Sequence, residues 1–282
     1  MSINPQTERR IIYLVLFLAV MLPLLFPIGW ITESSPHVRM AHKLVDTAPV
    51  GSVAIISFDY DPASMTELQP MAVAMIDHAW SKGHKVIATA LWPQGPQLAD
   101  QAFRQLIEKY PDKQYGVDYV NLGYKVGGMV TIQAMGRSLV EVYPTDTSGT
   151  DLNEIPMLAG INTLRDIAYI SSLSSGDPGI KQWIMAAHDM YNVPVTGGTT
   201  AISAPGFIPY INSQNQLIGL LGGLKAAAEY EGLIGMENGA ATAKMDSQSV
   251  AHLLILIFIA IGNYKVWKSK RSKQAPELKE EI

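Results

Sequence analysis

The chain contains no cysteine, which excludes disulfides and thiolate metal sites; by itself that agrees with an exported domain as well as with a cytosolic one. A basic stripe is also missing. With a formal net charge of −4 and no stretch of the middle region gathering lysine and arginine, nucleic acid is excluded as a partner. Neither a Gly-x-Ser-x-Gly motif nor a Walker or Rossmann glycine pattern occurs, and no internal repeat or low-complexity linker divides the chain. The histidines are scattered: His78 and His84 flank the end of one helix-like stretch, His188 lies on another, and His37 and His42 precede the first strand-like run. None has zinc-like spacing beside carboxylates, so they are expected to be surface or core residues.

What is abundant is apolar surface, 48% of 282 residues, concentrated in two blocks. Residues 11–30, "IIYLVLFLAVMLPLLFPIGW", carry no charge and match the roughly 20 residues that cross a hydrocarbon core. This predicts a transmembrane helix over 11–31, with Pro23 and Pro27 as kinks. A cleaved signal peptide competes with it, but would have a shorter apolar region and a small-x-small site that "IGWITESSPHV" does not offer. The second block, "VAHLLILIFIAIGNYKVW", predicts a span over 249–267, entered through a helical stalk over 236–248 and followed by a charged tail over 268–282. Tyr264 and Trp267 stand where an aromatic belt belongs. Arg9 and Arg10 flank the first block within residues 1–10, and Lys265, Lys268, Lys270, Arg271 and Lys273 flank the second. The positive-inside rule then puts both termini in the cytoplasm and the region 35–235 outside it.

That region alternates short apolar runs with helix-like stretches, the pattern of an α/β domain with a mostly parallel, Rossmann-like sheet flanked by helices. "GSVAIISFDY", "HKVIATALW", "DYVNLGY", "RDIAYISSL" and "VPVTGGTTAI" read as strands. Ser64 followed by Glu67 predicts a capping box after the first strand. "NQLIGLLGGLKAAAEYEGL" predicts the last helix, whose Gly219, Gly222, Gly223 and Ala226 form a small-residue face suited to sheet packing or to a subunit contact. Glu229 and Glu231 would then sit at the unfavourable end of that helix, where they invite a cationic partner or simple solvent exposure.

In parallel sheets ligands bind at the carboxyl ends of the strands, and the polar loops fall there. Asp59 and Asp61 follow the first strand, Trp92 the second and Lys125 the third; Ser175 and Asp177 follow the fourth, and Thr199 the fifth. These are the expected ligand contacts. Asp59-Tyr60-Asp61 also resembles the first motif of the haloacid-dehalogenase-like phosphohydrolases. The resemblance implies Asp59 as nucleophile, Asp61 as acid/base, Thr89 or Lys125 as phosphate ligand, and magnesium held by Asp59, Asp61 and Asp177. It covers about a dozen residues, and Pro62-Ala63 stands where that family continues Gly-Thr. The leading expectation is a membrane-anchored, extracytoplasmic domain acting as a binding or assembly subunit of a membrane complex. It would have no cofactor and would associate with copies of itself or with other subunits; the magnesium-dependent phosphohydrolase is the alternative.

Overall fold

Every residue of the first strand, β1 (Val53–Asp59), is buried, as befits a strand covered on both faces. In the computed structural model, which describes residues 4–30, 33–236 and 239–277, β1 lies at the centre of a six-stranded sheet. The others are β2 (Lys85–Ala90), β3 (Tyr119–Tyr124), β4 (Tyr169–Ser174), β5 (Val195–Thr199) and β6 (Leu221–Gly222). Their order is β3-β2-β1-β4-β5-β6, and every pairing is parallel. The chain therefore winds outward one way from β1 to β3, and the other way from β4 to β6. This is the doubly wound arrangement, and it opens a crevice where β1 and β4 part.

Numbered after the N-terminal helix α1 (Pro5–Leu25), the helices around the sheet are α2 (Pro36–Thr47), α3 (Met65–Ser81), α4 (Gly95–Ile107), α5 (Met129–Met135) and α6 (Leu139–Val142). Next comes an interrupted helical stretch made of α7 (Ile180–Trp183), a π-turn over Ile184–His188 and α8 (Asp189–Tyr191), and then α9 (Gly223–Leu233). Helix α3 lies between α4 and α9 and also touches α2. On the opposite face Ile132, Met135, Trp183 and Ile184 close over Ile55, Ile87, Val120 and Ile170.

The last helix starts later than its sequence pattern predicts. Gly219 precedes it with φ +78°, and a Cβ there would stand 2.3 Å from the Ala41 nitrogen and 2.4 Å from the His37 carbonyl oxygen of α2. Gly222 ends β6 and N-caps α9 in extended backbone. The close approach these glycines permit is thus made inside the domain: Gly222 faces Ala204, Gly223 faces Ala201, and Ala226 is buried. The Ser64 capping box is not formed either. Ser64 makes no side-chain cap bond, and Glu67 Oε2 instead accepts from the Ala201 N–H at 2.9 Å.

The chain separates into two units, residues 31–242 and a terminal unit of residues 1–30 with 243–282. In the terminal unit α1 keeps Pro23 inside it and stops at Leu25, with Phe26 extended (φ −132°, ψ 81°). Pro27 enforces the stop by disfavouring helical backbone in the residue before it. Helix α1 also begins among Glu8, Arg9 and Arg10, so its apolar part is shorter than the uncharged run. Among the described residues one helix is long and apolar enough to cross a membrane, over Ala240–Lys268. It belongs to α10 (Ala240–Glu277), in which the expected stalk and span are continuous; residues 237–238 of that stalk lie outside the described residues. Within the same unit the Asp246 carboxylate accepts the backbone N–H groups of Ile28 and Gly29 at 2.8 Å each and of Trp30 at 3.3 Å, an anion in a nest of successive amides.

Candidate functional site

The carboxyl ends of β1 and β4 meet in register, Asp59 opposite Ser174. Asp59 is wholly buried. Its Oδ1 accepts the Leu91 N–H at 2.7 Å and its Oδ2 the Trp183 indole N–H at 3.2 Å. The Ser57 hydroxyl lies 2.8 Å from both oxygens, and the Ser172 hydroxyl 3.4 Å from Oδ2. Burial pushes the Asp59 carboxyl up to about 7, against the opposing pull of the bonds from Leu91, Ser57, Trp183 and Ser172. Asp59 therefore ties β1, β2, β4 and α7 together beneath the crevice floor. Of its partners, Ser57, Ser172 and Trp183 were not picked out from the sequence. The polar strand "YISSLS" was the available sign, because serines in a fully buried strand need partners.

Asp61 has a different task. Its Oδ1 accepts the Ser64 N–H at 3.1 Å, closing the turn that carries the exposed Pro62 and Ala63 into α3. The opening residues of the loop after β4 bend over the crevice. The Ser175 N–H donates to the Asp59 carbonyl at 3.2 Å, and the Trp92 indole N–H donates to the Pro178 carbonyl at 2.8 Å. Thr199 is buried, with its hydroxyl on the Ser174 carbonyl at 2.7 Å. Lys125 stands apart, its ammonium 5.4 Å above the Tyr143 ring, while the Tyr143 hydroxyl bonds Thr89.

Beside this cluster, at the carboxyl ends of β4 and β5, lies a cavity of about 310 Å³ lined by Gly176, Asp177, Lys181, Gln182, Ser203, Gly206 and Phe207. Asp177 is exposed, and its Oδ1 accepts from the Gln182 amide. A carboxylate, an ammonium, an amide, a hydroxyl and an aromatic ring thus line one cavity, a combination able to orient a small polar ligand. Of the expected contacts Asp177 lines this cavity. Asp59, Ser175 and Trp92 are not among its lining residues, while Asp61 and Thr199 are taken up by the backbone. Both oxygens of Asp59 accept N–H donors and face the Ser57 hydroxyl.

Glu229 and Glu231 are both buried rather than solvent-exposed. Glu229 accepts from Lys225 one turn earlier and from the Ser35 N–H at 2.8 Å. These bonds hold its carboxyl below the usual range although burial opposes them. Glu231 caps the first turn of α10, accepting the Ala241 N–H at 2.9 Å and the Thr242 N–H at 2.8 Å. A third polar cluster was not anticipated from the sequence. His42 and Asp46 on α2 come together with His78 on α3, one ligand atom of each lying within 4.8 Å of the others. The readable sign was the i, i+4 spacing of His42 and Asp46 on one helix face. Burial, and then the neighbouring His42, push His78 down to about 4, so its ring is neutral at physiological pH. Comparison with protein-family models and with curated proteins finds no match to this chain.

Proposed function

We propose that the chain is a two-span membrane protein whose α/β domain, held outside the cytoplasm, serves as a ligand-binding or assembly subunit of a membrane complex. The observation that carries this reading is the cavity at the carboxyl ends of β4 and β5, with Asp177, Lys181, Gln182 and Ser203 on its wall. It is a place for a ligand, while the acidic residue best placed for chemistry, Asp59, is buried and bonded throughout. The flanking charges support the topology, with Arg9 and Arg10 in the first turns of α1, ahead of its apolar part, and Lys265 and Lys268 at the end of the apolar part of α10. In this reading α1 crosses the membrane together with the stretch Phe26–Trp30 that follows it, and α10 returns the chain to the cytoplasm.

The phosphohydrolase alternative has no observation in its favour. A nucleophile must reach phosphorus, and Asp59 has no exposed surface. The topology is tested with a reporter fused after Ile282 and with protease added from the outer face alone. We expect the reporter to be cytoplasmic and the region 34–244 to be digested; protection of that region overturns the reading. Magnesium-dependent turnover of a phosphate ester that vanishes in Asp59→Asn would restore the alternative.

A further inference from the structure

Helix α2 presents His42 and Asp46 one turn apart, so both side chains emerge on one face. That face meets the part of α3 that carries His78. The His42 and His78 rings are stacked, with centroids 4.4 Å apart and planes 23° from parallel. His78 Nδ1 lies 2.9 Å from the Tyr230 hydroxyl, and Tyr230 is fully buried on α9. The other ring nitrogen, Nε2, faces Asp46 Oδ1 at 3.7 Å. We propose that His42, Asp46 and His78 form a binding site for a divalent transition cation of the zinc class.

Two features of the cluster argue for this chemistry. First, the donor set is two imidazoles and a carboxylate. Such a set suits zinc and its neighbours, whereas magnesium and calcium require a mainly oxygen shell. Second, the Tyr230 hydroxyl engages Nδ1 of His78, which fixes the ring and leaves Nε2 as the ligating atom, the outer-shell arrangement that metal-bound histidines use.

The three donors are within 4.8 Å of one another, and a tetrahedral zinc with bonds near 2.0–2.1 Å draws its ligands to about 3.3 Å apart. Asp46 is exposed and His42 partly so, and rotation of these two side chains supplies the movement while the buried His78 stays fixed. Lys82 pairs with Asp46 at 2.5 Å. Its half-exposed ammonium stands in for positive charge at the site, and the cation displaces it. With three protein ligands the fourth position opens towards the solvent on the Asp46 side, as in exchangeable or catalytic zinc sites rather than closed structural ones.

The test uses the untagged full-length protein in detergent, stripped with a chelator and titrated calorimetrically with Zn2+, with Mg2+ in parallel. We expect one Zn2+ per chain and no heat from Mg2+. His42→Ala and Asp46→Asn, both at surface-accessible positions, should each weaken Zn2+ by at least about tenfold. Tyr230→Phe should weaken it by about tenfold through His78 alone. Lys82→Met should tighten binding by removing the competing ammonium. Bound Co2+ should give the intense visible bands of a tetrahedral site, lost in the His42→Ala/Asp46→Asn double variant. Absence of Zn2+ binding, or a double variant that binds Zn2+ as tightly as the parent while keeping the parent's circular dichroism, overturns the proposal.

Discussion

Asp59 is an acid held where its charge is costly. Its carboxyl is raised to about 7 from the unfolded value of about 3.9. The folded state therefore binds its proton more tightly than the unfolded chain does. The stabilisation this gives is complete below pH 4, is lost as pH rises towards 7, and amounts to roughly 4 kcal/mol at about 1.36 kcal/mol per unit. In Asp59→Asn one of the two N–H donors, from Leu91 or Trp183, loses its acceptor, at about 1–3 kcal/mol. We expect the variant to be the less stable protein at pH 4, and the gap to close or reverse by pH 8; denaturant unfolding across that range would show parallel profiles if the account is wrong. A second contrast separates the two aspartates. Asp61→Ala should cost about 1 kcal/mol through the lost bond to Ser64, whereas Ser64→Ala, which removes no cap, should stay within about 0.5 kcal/mol, as unfolding midpoints will read. The Asp-x-Asp pair was visible in the sequence, but the division of labour was not. It depends on Leu91, Ser172 and Trp183, which reach Asp59 from 32, 113 and 124 positions away.

At the level of elements, five of the strands were legible because a strand buried on both faces must be apolar almost throughout. "VAIISFD" and "KVIATA" occupy β1 and β2 as read. The two-residue β6 carries no pattern that period alone could reveal, and its glycines read as helix. The error is physical: "LIGLLGGLKAAA" has helical periodicity, but Gly219 is needed for a left-handed turn against α2, a tertiary demand that no local window contains. Gly219→Ala should therefore cost about 1–3 kcal/mol in backbone conformation before the clash with α2 adds to it. Gly179→Ala, with a Cβ 1.8 Å from the Ser174 hydroxyl, should shift the loop that walls the cavity. Thermal unfolding checks the first, and amide exchange in residues 174–182 the second; an unchanged melting temperature for Gly219→Ala would remove the tight packing of α2 against this turn.

For the whole molecule, the doubly wound sheet was legible from the alternation of strands and helices, and its all-parallel pairing follows from that alternation. The extent of the apolar helices was less so, because Pro27 stops α1 within a run that hydropathy alone reads as continuous. As a subunit, the protein should migrate above its 30.7 kDa monomer after detergent corrections in native electrophoresis of freshly extracted membranes; a purely monomeric band would count against assembly. The parallel sheet also sets a timetable for folding. No two neighbouring strands can zip up from a hairpin, and the central pair joins Asp59 to Ser174 across most of the domain. Loops of that length are entropically slow to close, so folding rates fall with such distant pairing. A chain emerging amino end first can stack β1, β2 and β3, but Asp59 stays without its Ser172 and Trp183 partners until β4 and α7 have followed. By the same reasoning the docking of β4 and α7, which completes the hydrogen bonds of Asp59, is expected to come late in folding.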